Sequence, residues 1–313
     1  MNVLISGVNG FVGSNLKEYL LESDYRILEV SRTKGTNPLL PNSFTWNELD
    51  QIESHLPDVF IHLAGKAHDL KKTSDSDQYF IVNTELTKKL FDLFLQSKAK
   101  DFIYFSSVKA VADEVEGVLD ENVKAMPKSP YGQSKREAEA YILNAKLPAG
   151  KRIFILRPCM IHGPGNKGNF NLLYTLIKKR VPYPLGSFEN KRSYLSIKNL
   201  CFILHQILLH PSIEGGIYNM ADDESLSTNE LIQLIGKETN IHASIWKINR
   251  NLIKTLAKIG DKLKLPFNSE RLQKLTENYV VSNRKIKSAL GLLTLPFSSQ
   301  EGFSITISSF SRK

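Results

Sequence analysis

The sequence contains little cysteine, with only Cys159 and Cys201 among its 313 residues. The two positions lie far apart and match neither a disulfide framework nor a zinc-ligand spacing, so the sequence predicts no disulfide and no metal site. A chain of this length buries roughly 75% of its unfolded surface and needs no such covalent support. We expect both cysteines to be small buried residues in a reducing compartment.

Long hydrophobic runs are also missing. No stretch approaches the roughly 18 apolar residues that cross a bilayer, and the apolar segment 200–209 is interrupted by His205 and Gln206. The chain opens on the strand-like segment Asn2–Ser6 instead of the basic region of a secretory signal. These absences predict a soluble, cytoplasmic protein without a transmembrane segment.

Acidic residues are scarce in the second half of the chain only. The net charge is +9, and residues 158–313 hold 21 Lys/Arg and 11 Asp/Glu, whereas residues 1–157 hold 20 and 21. An anionic partner is therefore expected for the second half: a phosphorylated metabolite, a membrane surface or a nucleic acid. Nucleic acid is disfavoured because the sequence has no helix-turn-helix, zinc spacing or RNA-binding aromatic signature.

Short apolar runs alternate with amphipathic stretches in the first half. The predicted strands are Asn2–Ser6, Arg26–Val30, Val59–Leu63, Phe102–Ser106 and Arg152–Leu156, and the predicted helices between them are Phe11–Leu21, Tyr79–Gln96 and Tyr131–Asn144. This alternation predicts an α/β fold with a doubly wound parallel sheet of the Rossmann type. Such sheets bind their ligands at the carboxyl ends of the strands.

Proline and glycine become frequent after residue 157, and the helical spacing becomes less regular. We predict a Rossmann domain of residues 1–157 plus about 193–220, and a smaller, mainly helical substrate lobe of about 158–192 and 221–313. Within this lobe, Ile245–Pro266 carries six basic residues and one acid with apolar spacing. The segment is interpreted either as a membrane-surface helix or, more simply, as a lobe helix with a solvated basic face.

Three glycines follow the first predicted strand, in the order Gly7-Val-Asn-Gly10-Phe-Val-Gly13. Three glycines alone are a weak signal, but their position between a strand and a helix is typical of a turn that binds a dinucleotide pyrophosphate. The end of the second strand has Ser31 and Arg32 where a carboxylate would bind the ribose of NAD(H). NADP(H), with its 2′-phosphate, is therefore favoured, NAD(H) stays open, and a merely solvated Arg32 is the alternative.

Tyr and Lys four residues apart share one side of a helix, where the ammonium can lower the pKa of the phenol. Such pairs occur three times, at Tyr131/Lys135, Tyr174/Lys178 and Tyr194/Lys198. Chance alone predicts about one such pair in a chain with this much Tyr and Lys, so the motif by itself is a weak signal. The context favours the first pair, because it opens a predicted helix and follows Ser107 at the end of the fourth strand.

With these motifs the chain resembles the extended short-chain dehydrogenase/reductase family, in its nucleotide-sugar epimerase/dehydratase branch. The resemblance rests on the following ordered motifs: Gly7–Gly13, His62-Leu-Ala-Gly65, Val82-Asn83-Thr84, Phe105-Ser-Ser107, Tyr131-Gly-Gln-Ser-Lys135, Leu156-Arg-Pro158, Gly163-Pro-Gly165, Gly168-Asn169-Phe170, Pro184-Leu-Gly186 and Arg192-Ser-Tyr194. They span about 200 residues, and the chain from about 225 onward adds no usable motif.

The resemblance implies roles for individual residues. Tyr131 is the expected acid/base, Lys135 its partner and a ribose ligand, and Ser107, preferred over Ser106, a donor to the substrate oxygen. The residues implied in cofactor binding are Gly7, Gly10, Phe11, Val12, Gly13, Ser31, Arg32, Leu63, Ala64, Gly65, Asn83, Lys135 and Pro158. The residues implied in substrate binding are Lys66, Ser107, Val108, Tyr131, Asn169 and Arg192, with His68 beside Lys66. The family also implies a homodimer through the Tyr79–Gln96 and Tyr131–Asn144 helices.

Dehydratases of this family carry an Asp-Glu pair directly after the Ser/Thr, where this chain has Val108 and Lys109. The string Ser106-Ser-Val-Lys-Ala110 resembles bacterial reductases that make UDP-linked 6-deoxy-N-acetylhexosamines for surface polysaccharides. The expected activity is NAD(P)H-dependent reduction of a C4 keto group. The alternatives are an NAD-dependent nucleotide-sugar 4-epimerase and, on the same fold, a non-catalytic NADPH-sensing protein.

Overall fold

The computed structural model of the protein describes residues 1–33, 42–67, 76–166, 169–265 and 267–311. Its strands, in chain order, are β1 (Asn2–Ser6), β2 (Arg26–Ser31), β3 (Ser43–Thr45), β4 (Val59–His62), β5 (Asp101–Phe105), β6 (Val118–Leu119), β7 (Arg152–Pro158), β8 (Met160–His162), β9 (Arg192–Ser196), β10 (Gly216–Met220), β11 (Ser225–Leu226) and β12 (Val280–Val281). The main sheet is parallel, with the order β10-β7-β5-β4-β1-β2-β3. The chain reverses direction across the sheet between β1 and β4, so a crevice opens there at the carboxyl ends.

Helices cover both faces of this sheet. In chain order they are α1 (Phe11–Leu21), α2 (Asp77–Phe80), α3 (Leu86–Gln96), α4 (Pro130–Asn144), α5 (Asn169–Lys178), α6 (Ile197–Leu209), α7 (Thr228–Thr239), α8 (Arg250–Leu263), α9 (Ser269–Thr276), α10 (Arg284–Ala289) and α11 (Ser299–Ser311). Leucines of α1 and α6 pack on one face, and apolar residues of α3 and α4 pack on the other. The strands between them are buried on both faces, which is why they read as continuous apolar runs.

A third hydrophobic cluster belongs to the second half of the chain. It joins α5, α7, α8, α9 and α11 to β9, with Phe303 at its centre. Two small sheets flank it, one with the order β11-β9-β8 and one pairing β12 with β6. The β6–β12 pair connects the segment after β5 to residues near 280, so late parts of the chain reach the edge of the crevice.

The predicted doubly wound α/β fold is confirmed. The bounds of β1 and α1 are those predicted, and β2, β4, β5 and β7 differ by one or two residues at their ends. Three features of the fold were not predicted from the sequence. Strand β3 is too short to show a pattern, the helix predicted over Tyr79–Gln96 contains a π-helical turn at Ile81–Glu85, and the lobe carries strands besides its helices. The exact division into Rossmann domain and lobe stays a prediction.

A buried polar chain crosses the carboxyl end of β1 and β4. His62 accepts or donates at both ring nitrogens, with Ser6 Oγ at 2.5 Å from Nδ1 and Thr87 Oγ1 at 2.9 Å from Nε2. Burial, with the nearby Lys135 as a second cause, lowers the pKa of His62 from 6.5 to about 3. The imidazole is therefore neutral in the folded protein at any pH at which the protein is handled.

This neutral His62 predicts acid sensitivity. Because the folded pKa is lowered, the unfolded chain takes up the proton first, so stability is complete above pH 6.5 and falls as the pH drops toward 3. Between pH 7.5 and 5.0 the group should remove about 2 kcal/mol from the free energy of unfolding. His62→Gln should lose this increment in urea titrations at the two pH values, whereas His242→Gln, at an exposed position, should keep it. If the free energy of unfolding depended equally on pH in the unmodified protein and both variants, His62 would not be the group responsible.

Candidate active site

The turn after β1 can be built only with glycine. Gly7 has φ +78°, and a Cβ there would lie 2.6 Å from the backbone nitrogen of Ala64. A Cβ on Gly13 would lie 2.3 Å from the carbonyl oxygen of Gly7. The turn, the first turn of α1 and the loop after β4 therefore touch backbone to backbone, a spacing no side chain permits.

The amino end of α1 fits an anion. Gly10 caps the helix and supplies no side-chain acceptor to the first N–H groups, so these donors are available to a ligand, and the helix dipole favours a negative one. Phe11, in the first turn, lies beside Gly163 and Gly165, and Asn15 donates to the carbonyl oxygen of Pro164 at 3.4 Å. A loop from the second half thus borders this end of the helix. The residues present fit a dinucleotide pyrophosphate.

At the end of β2 the two predicted phosphate ligands differ. The Ser31 hydroxyl donates to the carbonyl oxygen of Thr33 at 2.5 Å and is buried. Arg32 is exposed and forms no hydrogen bond or ion pair with any other residue that the structure describes. Of the pair, Arg32 is the side chain free to meet a phosphate.

The loop after β4 is shaped by Asn83. Its amide oxygen accepts from the N–H of Lys66 at 2.7 Å, and its nitrogen donates to the carbonyl oxygen of Lys66 at 3.1 Å and to Ser134 at 3.0 Å. This clamp fixes Leu63, Ala64 and Gly65 opposite the glycine turn. Pro158 ends β7 and is buried.

The two serines after β5 point to different partners. Ser106 donates to the buried carboxylate of Glu139 at 2.6 Å, and Arg157 holds the same carboxylate through two hydrogen bonds of 2.8 and 2.6 Å. Ser107 instead faces the crevice, where its hydroxyl is hydrogen-bonded to Tyr131. Successive residues of an extended chain point to opposite sides, so only Ser107 is placed for a ligand.

Tyr131 and Lys135 lie in the first turns of α4, which Ser129 and Pro130 begin. The Lys135 amine is buried and donates to the carbonyl oxygen of Phe105 at 2.7 Å. A Cβ on Gly65 would lie 3.1 Å from this amine. The structure thus brings Ser107, Tyr131 and Lys135 together at the crevice.

The expected lowering of the Tyr131 pKa is not present in the protein alone. Burial raises the pKa of Tyr131 above 10, and the hydrogen bond with Ser107 only partly opposes this. Lys135 does not contribute, because its amine is directed at the Phe105 carbonyl, and burial lowers its own pKa to about 8. At neutral pH Tyr131 is a phenol and can donate a proton.

The other two Tyr/Lys pairs lie elsewhere. Tyr174 packs edge-on against Phe310 at 5.1 Å between ring centres. Tyr194 is buried in the third hydrophobic cluster against Phe303, and burial raises its pKa to about 12. Both tyrosines are part of the packing of the second half.

Several of the residues expected to bind the substrate are buried or already hydrogen-bonded to other parts of the protein. Val108 is buried, and Lys66 lies over the ring of Tyr79, which contacts Tyr131 edge-on. Arg192 donates to Glu277 at 3.2 Å and to the carbonyl oxygens of Lys274 and Glu277. His68 lies outside the described residues, as does the side chain of Asn169.

Sequence reasoning missed several residues around this crevice. Tyr79 covers Tyr131, and Glu277 neutralises Arg192. Tyr279 donates to the carbonyl oxygens of Val108 and Ala112 at 3.2 and 2.7 Å, and its ring lies 4.3 Å from the Lys109 amine. Glu277 and Tyr279 lie in the segment without recognisable motifs, so no local signal marked them. Arg157, the buried partner of Glu139, lies on a different element from that carboxylate, so no local pattern marked the pair either.

A glycine turn at the topological switch of a doubly wound sheet, with a Ser, Tyr and Lys at the neighbouring strand end, defines a dinucleotide-binding enzyme of the short-chain dehydrogenase/reductase type. The model of the NAD dependent epimerase/dehydratase family matches residues 3–221. The chain belongs to this family, and it is an NAD(P)-dependent enzyme of the epimerase and reductase class.

Similar proteins include both classes. A UDP-glucose 4-epimerase of Vibrio cholerae is 31% identical, covering 99% of this chain and 95% of that protein. A GDP-6-deoxy-D-mannose reductase of Pseudomonas aeruginosa is 26% identical over 78% of this chain and 82% of its own. The solved structure of MoeE5 in complex with UDP-glucuronic acid and NAD superposes with a TM-score of 0.77 at 20% identity, covering 100% and 99% of the two chains.

The different surroundings of the two serines predict different effects on stability. Ser106→Ala should lower the free energy of unfolding by about 1–3 kcal/mol, because the buried Glu139 carboxylate loses a donor. Ser107→Ala should cost less, since this hydroxyl meets the Tyr131 phenol and the Lys109 N–H, at 3.2 Å, and holds no buried charge. Urea denaturation of the two variants measures the difference. A larger loss of stability for Ser107→Ala than for Ser106→Ala would show that the structural role belongs to Ser107.

Proposed function

We propose that the protein reduces the C4 keto group of a UDP-linked 6-deoxy-N-acetylhexosamine with NADPH. The observation that carries the proposal is the convergence of Ser107, Tyr131 and Lys135 beside the glycine turn. This arrangement supplies two groups that bond one substrate oxygen and a cation next to the expected cofactor ribose. The chemistry is that of a ketone and its alcohol.

Residues along the crevice would hold the different parts of the cofactor. The N–H groups at the start of α1 would hold the pyrophosphate, Arg32 the 2′-phosphate of the adenosine, and Lys135 the nicotinamide ribose. The loop of Leu63, Ala64 and Gly65 would lie along its middle. When bound, the cofactor supplies the hydride that reduces C4.

Tyr131 is the proposed proton donor to the C4 oxygen. Its raised pKa keeps it protonated at neutral pH, which is the form that reduction requires and the opposite of the form with which an oxidation begins. Ser107 would donate a second hydrogen bond to the same oxygen and stabilise the charge that develops there. Tyr79, packed edge-on against Tyr131, would limit water on that side.

Water elimination is left out of the proposal because no carboxylate follows Ser107. The Lys109 amine is held by the Asp113 carbonyl oxygen at 2.6 Å, and Val108 is buried. Neither side chain can act as the acid and base that a dehydratase needs. The keto sugar must therefore come from a separate dehydrating enzyme.

Recognition of the nucleoside diphosphate is assigned to the lobe, through Asn169 and Arg192. Arg192 suits two-pronged binding of a phosphate, yet it already binds Glu277. Burial raises the pKa of Glu277 despite the neighbouring Arg192 and Lys109. We expect the diphosphate to displace part of this ion pair and share the guanidinium.

A nucleotide-sugar 4-epimerase is the second candidate. The relative from Vibrio cholerae carries that activity in its name and matches nearly the whole chain, and the same Ser, Tyr and Lys would serve. The epimerase would hold NAD through both half-reactions, whereas the reductase exchanges its cofactor at each turnover. Cofactor consumption therefore separates the two.

The activity is tested in two reactions. With NADPH and a UDP-4-keto-6-deoxy-N-acetylhexosamine, the protein should oxidise one NADPH for each sugar reduced, followed at the nicotinamide absorbance. With UDP-N-acetylglucosamine and no added cofactor, it should form neither a keto sugar nor the C4 epimer. Catalytic formation of UDP-N-acetylgalactosamine in the second reaction would replace the reductase by the epimerase.

Two tyrosine variants serve as controls for this assay. Tyr131→Phe should lower turnover at least about 10²-fold because the general acid is removed. Tyr174→Phe changes a tyrosine of an equivalent sequence pair and should keep the activity of the unmodified protein. Loss of activity in Tyr174→Phe alone would show that the wrong pair was chosen.

Cofactor preference is tested separately, by titration of the free protein with NADPH and NADH. NADPH should bind more tightly, and Arg32→Ala should weaken NADPH by about 10-fold, the loss of one charge-assisted phosphate contact, while NADH is little affected. Lys17→Ala removes a cation that pairs with Glu29 at 2.6 Å and should leave the preference unchanged. Equal affinity of the unmodified protein for the two cofactors would contradict the proposal that Arg32, at the end of β2, selects NADPH.

A further inference from the structure

Helix α8 carries a row of exposed apolar side chains. Leu252, Leu256, Ile259 and Leu263 are 53%, 47%, 45% and 64% exposed. Their spacing of four, three and four residues places them along one side of the helix. Together we name these four residues the α8 stripe. A contiguous exposed apolar row of this length is typical of a surface that contacts another apolar phase.

The stripe cannot turn inward, because another side of α8 is already packed. Ile253 and Ala257 are buried in the third hydrophobic cluster, and a Cβ on Gly260 would lie 1.8 Å from the carbonyl oxygen of Phe267. Asn249 caps the amino end of the helix. The helix is fixed on the lobe with the stripe facing outward.

Uncompensated cations flank one side of the stripe. Lys258 and Lys262 are exposed and form no ion pair with any residue that the structure describes, whereas Lys254, also exposed, lies on the far side of the helix. Asp261, the acid of this segment, accepts from the backbone N–H and the hydroxyl of Ser269 at 3.0 and 2.5 Å. The acid is therefore held by the first residue of α9 and forms no ion pair with these lysines.

We propose that α8 is a docking surface for an anionic lipid bilayer, on which the helix lies parallel to the membrane plane. The α8 stripe would enter the headgroup and upper acyl region, and the lysines would extend their stems along it and bind lipid phosphates. Trp246, exposed just before the helix, is a residue type that favours the same interface. In the part of the chain that the structure describes, no helix is long and apolar enough to cross a membrane, so this contact is peripheral.

The charge argues for lipid over a second copy of this chain. Two α8 faces brought together would oppose lysines of the same sign, which disfavours self-association. A bilayer with anionic headgroups presents both the apolar phase that the stripe fits and the negative potential that the lysines fit. No residue of the proposed active site takes part in this membrane contact, which is independent of the reductase activity.

Co-sedimentation with vesicles tests the proposal. The full-length protein is mixed in low salt with sucrose-loaded vesicles of phosphatidylcholine containing one quarter phosphatidylglycerol, or of phosphatidylcholine alone. We expect at least about 10-fold tighter binding to the anionic vesicles, and loss of most of that binding in high salt. Failure to sediment with anionic vesicles in low salt would overturn the proposal.

Paired variants separate the stripe from general effects of charge and apolar surface. Leu256→Ser/Ile259→Ser should weaken vesicle binding at least about 10-fold, whereas Leu172→Ser/Leu293→Ser, at positions 71% and 92% exposed, should not. Lys258→Glu/Lys262→Glu should weaken it similarly, whereas Lys89→Glu/Lys98→Glu, with the same change in net charge at exposed positions of and near α3, should change it little. Thermal unfolding verifies that each variant is folded.

Two outcomes would contradict the assignment to α8. If the control pairs weakened binding as much as the test pairs, the whole basic surface and not α8 would bind lipid. If the unmodified protein instead formed a dimer in light scattering that Leu256→Ser/Ile259→Ser abolished, and did not bind vesicles, the stripe would be an interface between two copies.

Discussion

The geometry of the candidate active site depends on one buried carboxylate. Glu139 lies on α4, one turn beyond Lys135, and receives hydrogen bonds from Ser106 at the end of β5 and from Arg157 on β7. It therefore ties the helix to two neighbouring strands in a place without solvent. Loss of one partner from such a buried pair typically costs about 3–5 kcal/mol, because the remaining charge is left uncompensated. Together with the hydrogen bonds of Ser134 to Asn83 and Thr84, this contact fixes α4 and places Tyr131 beside Ser107.

The same contact explains why two adjacent serines differ in what they can do. The Ser106 hydroxyl is engaged in its hydrogen bond to Glu139 on α4. Ser107 lies on the other side of the extended chain, where its hydroxyl can bind a ligand. The Lys135 amine is likewise committed to the Phe105 carbonyl in the protein alone. Burial then decides the protonation of Tyr131, and it keeps the phenol protonated. In our proposal this is the state in which the enzyme receives a ketone.

The basic residues of the second half of the chain lie in two different environments. Near the crevice Arg192 is matched, since it binds Glu277. On α8, Lys258 and Lys262 have no acidic partner among the residues that the structure describes, and they flank exposed leucines. Net charge alone pointed to an anionic partner without locating it. Among the described residues, α8 is a surface whose lysines have no acidic partner, and it is this surface that we assign to lipid.

The sequence by itself determined the sheet and the turn, because apolar strands buried on both faces and a glycine turn between strand and helix are local patterns with few other solutions. It also identified the motif at Tyr131 and Lys135, by its position after a strand end. The resemblance already favoured Ser107 over Ser106, but only the tertiary structure showed that Ser106 binds Glu139, that Ser31 is engaged, and that Arg192 is paired with a carboxylate 85 positions away. The contacts of Tyr279 and the outward orientation of the α8 stripe were decided there as well. These features depend on contacts between distant segments, and a one-dimensional pattern of residues contains no record of which partner a side chain meets.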